Sequence, residues 1–174
     1  MTWQNLETDA IEKATLTSFS HNLNHYSSVI KTTQTTFWIT IFYNQQGIVK
    51  EFTIKDEDGL LFNGINQGNW LINGDFLETN EAIHFIDISL TPFTNKLPID
   101  YLIYHEEQEI ISPILFIDIE NQKIAIYHQK YSIIEETVLY QNIETKYSNK
   151  LKIDSDHLVL DYPGVFKLIT TEKL

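Results

Sequence analysis

Over most of the chain apolar and polar residues alternate with a period of two, the pattern of strands that lay one face on a core. The clearest case runs from Phe37 through Trp38, Ile39, Thr40, Ile41 and Phe42 to Tyr43, turns at Asn44-Gln45-Gln46-Gly47, and returns over residues 48–55. This predicts a β-hairpin. A polar turn ending at Gly59 follows, then short apolar runs at 60–62 and 70–72. Turns are expected at Asn63-Gly64, at 66–69 and at Asn73-Gly74-Asp75, where Gly and Asn tolerate positive φ. Further strands are expected over 82–90, 99–105, 110–119, 123–128, 133–140, 147–153, 158–161 and 165–170. One stretch departs from this pattern. Trp3, Leu6, Ala10 and Ile11 recur at helical spacing behind Thr2, a suitable N-cap, which predicts a short helix over residues 3–13 lying across one end of the fold. From about residue 15 the period returns to two, through Phe19, Leu23, Tyr26 and Val29.

Ten or more strands joined by short gaps indicate a sandwich or a barrel. No βαβ unit of about 30 residues is evident, which disfavours a parallel sheet wound with helices. Short sequential turns favour an antiparallel up-and-down meander, and closing it into a barrel removes exposed edges. The expectation is therefore an all-β, antiparallel up-and-down β-barrel with a short N-terminal helix, forming one domain over residues 1–174.

Charge narrows the partners. Acidic residues outnumber basic ones 24 to 12, the net charge is -12, and every basic residue is Lys. Nucleic acids and anionic membranes demand clustered cations, and phosphate clamping favours the Arg fork, so neither is expected as a partner. An acidic surface keeps a protein soluble and is also compatible with a cationic protein partner. The absence of Cys excludes a disulfide framework, a zinc-thiolate site and a Cys nucleophile. The first sixteen residues lack a basic segment followed by an apolar run, and no stretch approaches about 20 apolar residues, so a cytoplasmic location is expected.

Candidate chemistry is sparse. His21 and His25 share one face, but the Ser, Thr and Asn around them mark a solvated segment rather than a metal site. His105-Glu106 lacks a second His four residues on, and Asp56, Asp58 and Gly59 match hairpin-turn chemistry better than a calcium loop. The pairs Asp154/Asp156 and Glu135/Glu136 belong to solvated faces. No nucleophile elbow, Walker loop or dinucleotide fingerprint occurs, so no catalytic residue and no metal ligand is expected, and no cofactor is specified. What remains is distributed aromatic area. Inward positions of a small barrel are either filled or leave room for one apolar ligand, for which Trp38, Trp70, Phe85, Tyr101 and Tyr127 are the candidate lining residues.

The segment Leu158-Val159-Leu160-Asp161-Tyr162-Pro163-Gly164-Val165-Phe166, with the stretch 64–76 and a length near that of one barrel, resembles calycin-type β-barrels, the lipocalin and fatty-acid-binding-protein class. Within that class it is most similar to cyanobacterial barrels related to the phycobiliprotein bilin lyases of the S/U and T types. The resemblance implies a calycin-like barrel that holds a small hydrophobic or tetrapyrrole-like, bilin-like ligand. Without Arg, such a ligand would rely on Lys, His or Tyr. Three functional classes follow: a non-enzymatic ligand-binding barrel, which is the leading reading; an acidic interaction module with a filled interior; and a bilin lyase or chaperone that presents chromophore to a Cys of a partner protein.

Overall fold

A computed structural model describes residues 1–20 and 22–170. His21, one half of the His pair considered above, lies outside the described residues. The N-terminal half is a run of strands: β1 (Thr2–Asn5), β2 (Ile11–Ser20), β3 (Leu23–Lys31), β4 (Thr36–Tyr43), β5 (Val49–Asp56), β6 (Gly59–Asn66), β7 (Trp70–Ile72) and β8 (Asp75–Phe76). After β9 (Phe85–Ile88) come a 3₁₀ turn (Phe93–Asn95) and the helix α1 (Lys96–Tyr104). Six strands complete the chain: β10 (Glu109–Asp118), β11 (Lys123–Ile134), β12 (Thr137–Asn142), β13 (Ser148–Ile153), β14 (Val159–Tyr162) and β15 (Phe166–Thr170).

All fifteen strands form one sheet, in the order β8 to β1 followed by β15 to β9. Each strand pairs with its sequence neighbour, and the two halves join where β1 lies antiparallel to β15. The all-β antiparallel meander with one short helix is thus the observed architecture. The segment entering β9 is tied to the N-terminal half by a backbone bond in which Val49 N of β5 donates to His84 O at 3.0 Å. Phe85, Ile86 and Ile88 are all buried, so the β9 end of the sheet is covered on both faces.

Local rules account for most strands. In β4, Phe37, Ile39, Ile41 and Tyr43 are buried while the residues between them face outward. The partner strand β5 buries Val49 and Phe52, three residues apart, because the register slips between Phe42 and Tyr43 and leaves Lys50 as the extra residue of a bulge. Gly64 sits inside β6, not in the Asn63-Gly64 turn expected from the sequence. A Cβ there would stand 2.1 Å from the Phe52 ring, so the missing side chain is what lets Phe52 pack across the sheet.

Two expectations about the helix are corrected. Residues 3–13 are not helical: Trp3 and Asn5 are the buried residues of β1, and Asn5 Oδ1 accepts from Glu7 N and Thr8 N in a turn that Asp9 completes with φ 58°. That turn resets the phase and makes the apolar spacing mimic a helix. The helix lies instead at 96–104, where a strand over 99–105 was expected. Leu97 packs into one hydrophobic core, while Ile99 and Leu102 pack into a second core, against Tyr131, Val138, Leu151 and Val159. A helix covered from two sides loses the single apolar stripe that would reveal it. It also carries the crossover of the parallel pair β9 with β10, so residues 85–118 form a βαβ unit of the kind the sequence reading did not find, within a sheet that is otherwise antiparallel.

Candidate functional site

Residues of β9, β10, β12, β14 and β15, with the segments before α1 and β13, line a cavity of about 180 Å³. Its wall is aromatic: Tyr140 from β12, Tyr162 from β14, Phe166 from β15, Phe116 from β10, and Tyr147 at the start of β13. Tyr140 and Tyr162 meet edge to face with centroids 6.1 Å apart, Tyr131 and Tyr140 at 5.3 Å, and Tyr162 and Phe166 at 6.1 Å. These separations suit quadrupole-favoured aromatic contacts and fix the rings as one continuous wall.

The polar part of the lining, called the floor below, is Asp87, Ser89, Thr91 and Asn95. Asp87 belongs to strand β9, opposite Phe116 in the parallel register. Gln129 Nε2 donates to Asp87 Oδ2 at 2.7 Å, and Thr94 Oγ1 donates to Asp87 Oδ1 at 3.1 Å. The Tyr131 hydroxyl lies 3.0 Å from both Asn95 Oδ1 and Gln129 Oε1, and Asn95 Nδ2 donates to Pro92 O. The network is continuous from the helix approach to β11, so each member is held in place by the next.

Burial raises the Asp87 pKa above the ordinary carboxylate value, against the lowering effect of the Gln129 and Thr94 bonds. The hydroxyls of Tyr131, Tyr140 and Tyr162 are pushed well up, first by burial, with Asp87 adding in each case. They therefore remain neutral donors throughout the physiological range. Among the described residues no Lys and no His lines the cavity.

A second, more open cleft lies against α1, lined among others by Leu16, Asn24, Lys96, Asp100 and His157. Its charges are mutually engaged. Lys96 Nζ donates to Asp100 Oδ1 and to Asp156 O, each at 2.7 Å, and His157 Nδ1 is 2.9 Å from Asp100 Oδ1. This cluster ties the helix to the turn before β14. On the surface, both ring nitrogens of His128 are taken up by Glu81 and Glu144, each at 2.7 Å. Among the described residues no group of three His, Asp or Glu side chains could hold a metal ion.

The five residues expected to line a ligand site are scattered. Trp38 is corrected outright: it lies on the outer face of β4 at 42% exposure, because its neighbours Phe37 and Ile39 take the inward positions. Trp70 is buried in the first core, where Nε1 donates to Ile83 O at 2.9 Å. Phe85 is also buried there and meets Tyr101 of α1 edge to face at 5.6 Å. Tyr127 packs on Phe116 at 5.4 Å, immediately behind the cavity wall. None of the five lines the cavity itself.

The family model described as "Putative glycolipid-binding" matches residues 1–167. The chain belongs to this family. Its fold is also similar to the crystal structure of a DUF1089 family protein from Pseudomonas aeruginosa, with 22% sequence identity, a TM-score of 0.70, and coverage of 91% of this chain and 92% of that one. At that identity the likeness concerns the fold alone. No curated protein sequence matches the chain. Among the described residues no helix is long and apolar enough to cross a membrane. For a member of this family, the sequence held one overlooked clue to the site. Asp87 is a lone carboxylate inside the apolar run Phe85-Ile86-Asp87-Ile88, a position that calls for buried hydrogen-bond partners.

Proposed function

We propose that this protein is a non-enzymatic binder of a small, lipid-like ligand, and that the ligand docks at the cavity walled by Tyr140, Tyr162 and Phe166. The observation that carries this reading is the pairing of an aromatic wall with a polar floor at one concave site. Apolar surroundings with a few fixed polar groups are how proteins hold and orient small molecules. Membership of a family described as glycolipid-binding points to the same ligand class. A four-ring tetrapyrrole would outsize a cavity of about 180 Å³, so a bilin or a lyase role finds no support in this site.

Native mass spectrometry of the protein purified from its own host tests the proposal. One small lipid-like adduct per chain is expected, removable by organic extraction and diminished in Tyr162→Ala. A clean apo mass, together with no shift in melting temperature on adding any single-chain amphiphile, would overturn it.

A further inference from the structure

We infer that the cavity takes the sugar ring of a neutral glycolipid, leaving the alkyl chain toward the opening and refusing phosphorylated, sulfated or carboxylated headgroups. This rests on the binding role proposed above and specifies which part of the ligand enters and what charge it carries.

The chemistry of the floor carries the argument. An alkyl chain laid on the polar part of the lining would strip water from Asp87, Ser89 and Asn95 without replacing its hydrogen bonds, which is costly for such groups. A sugar ring supplies what they lack, since each hydroxyl both donates and accepts. Each Asp87 oxygen accepts one protein bond, from Gln129 or from Thr94, and a carboxylate offers about four acceptor sites, so capacity remains for ligand hydroxyls. Ser89 Oγ accepts from Ile119 N at 3.3 Å, and its own hydrogen has no acceptor among the described residues. The edges and faces of Tyr140 and Tyr162 offer apolar surface to the C–H face of the ring.

Charge then selects among headgroups. Among the described residues the carboxyl of Asp87 is the one acidic group at the cavity, and no cation lines it to offset a second negative charge. An anionic headgroup would be desolvated against a like charge, whereas a neutral sugar would meet an acceptor already oriented by Gln129.

Titration calorimetry below the micelle concentration provides the test, using octyl glucoside, octyl galactoside and octyl mannoside against octyl sulfate, with the methyl glycosides as competitors. The expected result is that at least one octyl glycoside binds and its methyl glycoside competes for the same site. Octyl sulfate should bind at least about tenfold more weakly, and Asp87→Asn should weaken glycoside binding by a similar factor while narrowing the gap to octyl sulfate. If octyl sulfate binds as well as the glycosides, the chain and not the sugar occupies the cavity, and the inference falls while the binding role stands. That comparison uses the unaltered protein and does not depend on how Asp87→Asn folds. If no amphiphile binds the folded protein, both fall.

Discussion

Thr91 Oγ1 donates a 2.8 Å hydrogen bond to Glu12 Oε2, joining the loop before the helix to a strand 79 positions earlier in the chain. The Tyr26 hydroxyl donates to the other oxygen of the same carboxylate and stacks its ring on Phe93 at 3.8 Å. Glu12 is itself buried, and Thr91 also contributes to the cavity floor. One acidic side chain therefore anchors the segment that leads into the site.

A pH dependence of stability follows. Burial raises the Glu12 pKa from 4.5 to about 7, more than offsetting the bonds from Tyr26 and Thr91 that lower it. The folded protein thus holds this proton more tightly than the unfolded chain does, and stability falls as pH rises from about 4.5 through about 7. The loss attributable to Glu12 is about 3 kcal/mol. Urea unfolding at pH 5 and pH 8 should show it, and Glu12→Gln should flatten that part of the profile. Equal stability of the unaltered protein at both pH values would refute the assignment.

Trp3 closes the seam between the two halves of the sheet. It is buried on β1, and its Nε1 donates to Val159 O at 2.7 Å. Trp3→Ala should cost about 3–5 kcal/mol, read from the urea midpoint. A loss under about 1 kcal/mol would mean that the seam does not depend on this side chain.

Gly47 has φ 74°, and a Cβ there would stand 1.9 Å from Leu97 O of the helix. Gly74, at φ 92°, has nothing within 4 Å of its Cβ position. Gly74→Ala should therefore cost only the backbone strain, about 1–2 kcal/mol. Gly47→Ala should cost clearly more, because the hairpin must also move off the helix. Comparable melting temperatures for the two variants would show that the hairpin does not bear on the helix.

Of the three Trp residues only Trp38 is exposed, while Trp3 and Trp70 are buried. Iodide should quench one component of the Trp fluorescence, and Trp38→Phe should abolish it. Trp38→Ala should leave amphiphile binding unchanged. A loss of binding in that variant would move the site to the outer face of β4.

Turn chemistry and strand alternation were legible because both are local. Asn44 Oδ1 accepts from Gln46 N and Ile48 N, and Asp56 Oδ1 accepts from Asp58 N and Gly59 N, in turns whose side chains bond to their own backbone within four residues. The buried alternation of β4 follows from the two-residue period in the same direct way. Where a segment is covered from two sides, as α1 is, the period that would betray it is erased.

By itself, then, the sequence determined a Cys-free, acidic, antiparallel β meander with the turns at 44–47 and 56–59 in place, since those properties depend on composition and on neighbours a few residues apart. The cavity was decided only by the tertiary structure. Asp87 meets Gln129 across 42 positions, and the Tyr140, Tyr162 and Phe166 rings line one cavity with that carboxyl although they stand on β12, β14 and β15. Those contacts depend on how far the sheet curls and on the packing of α1 between two cores, and neither leaves a periodic trace along the chain.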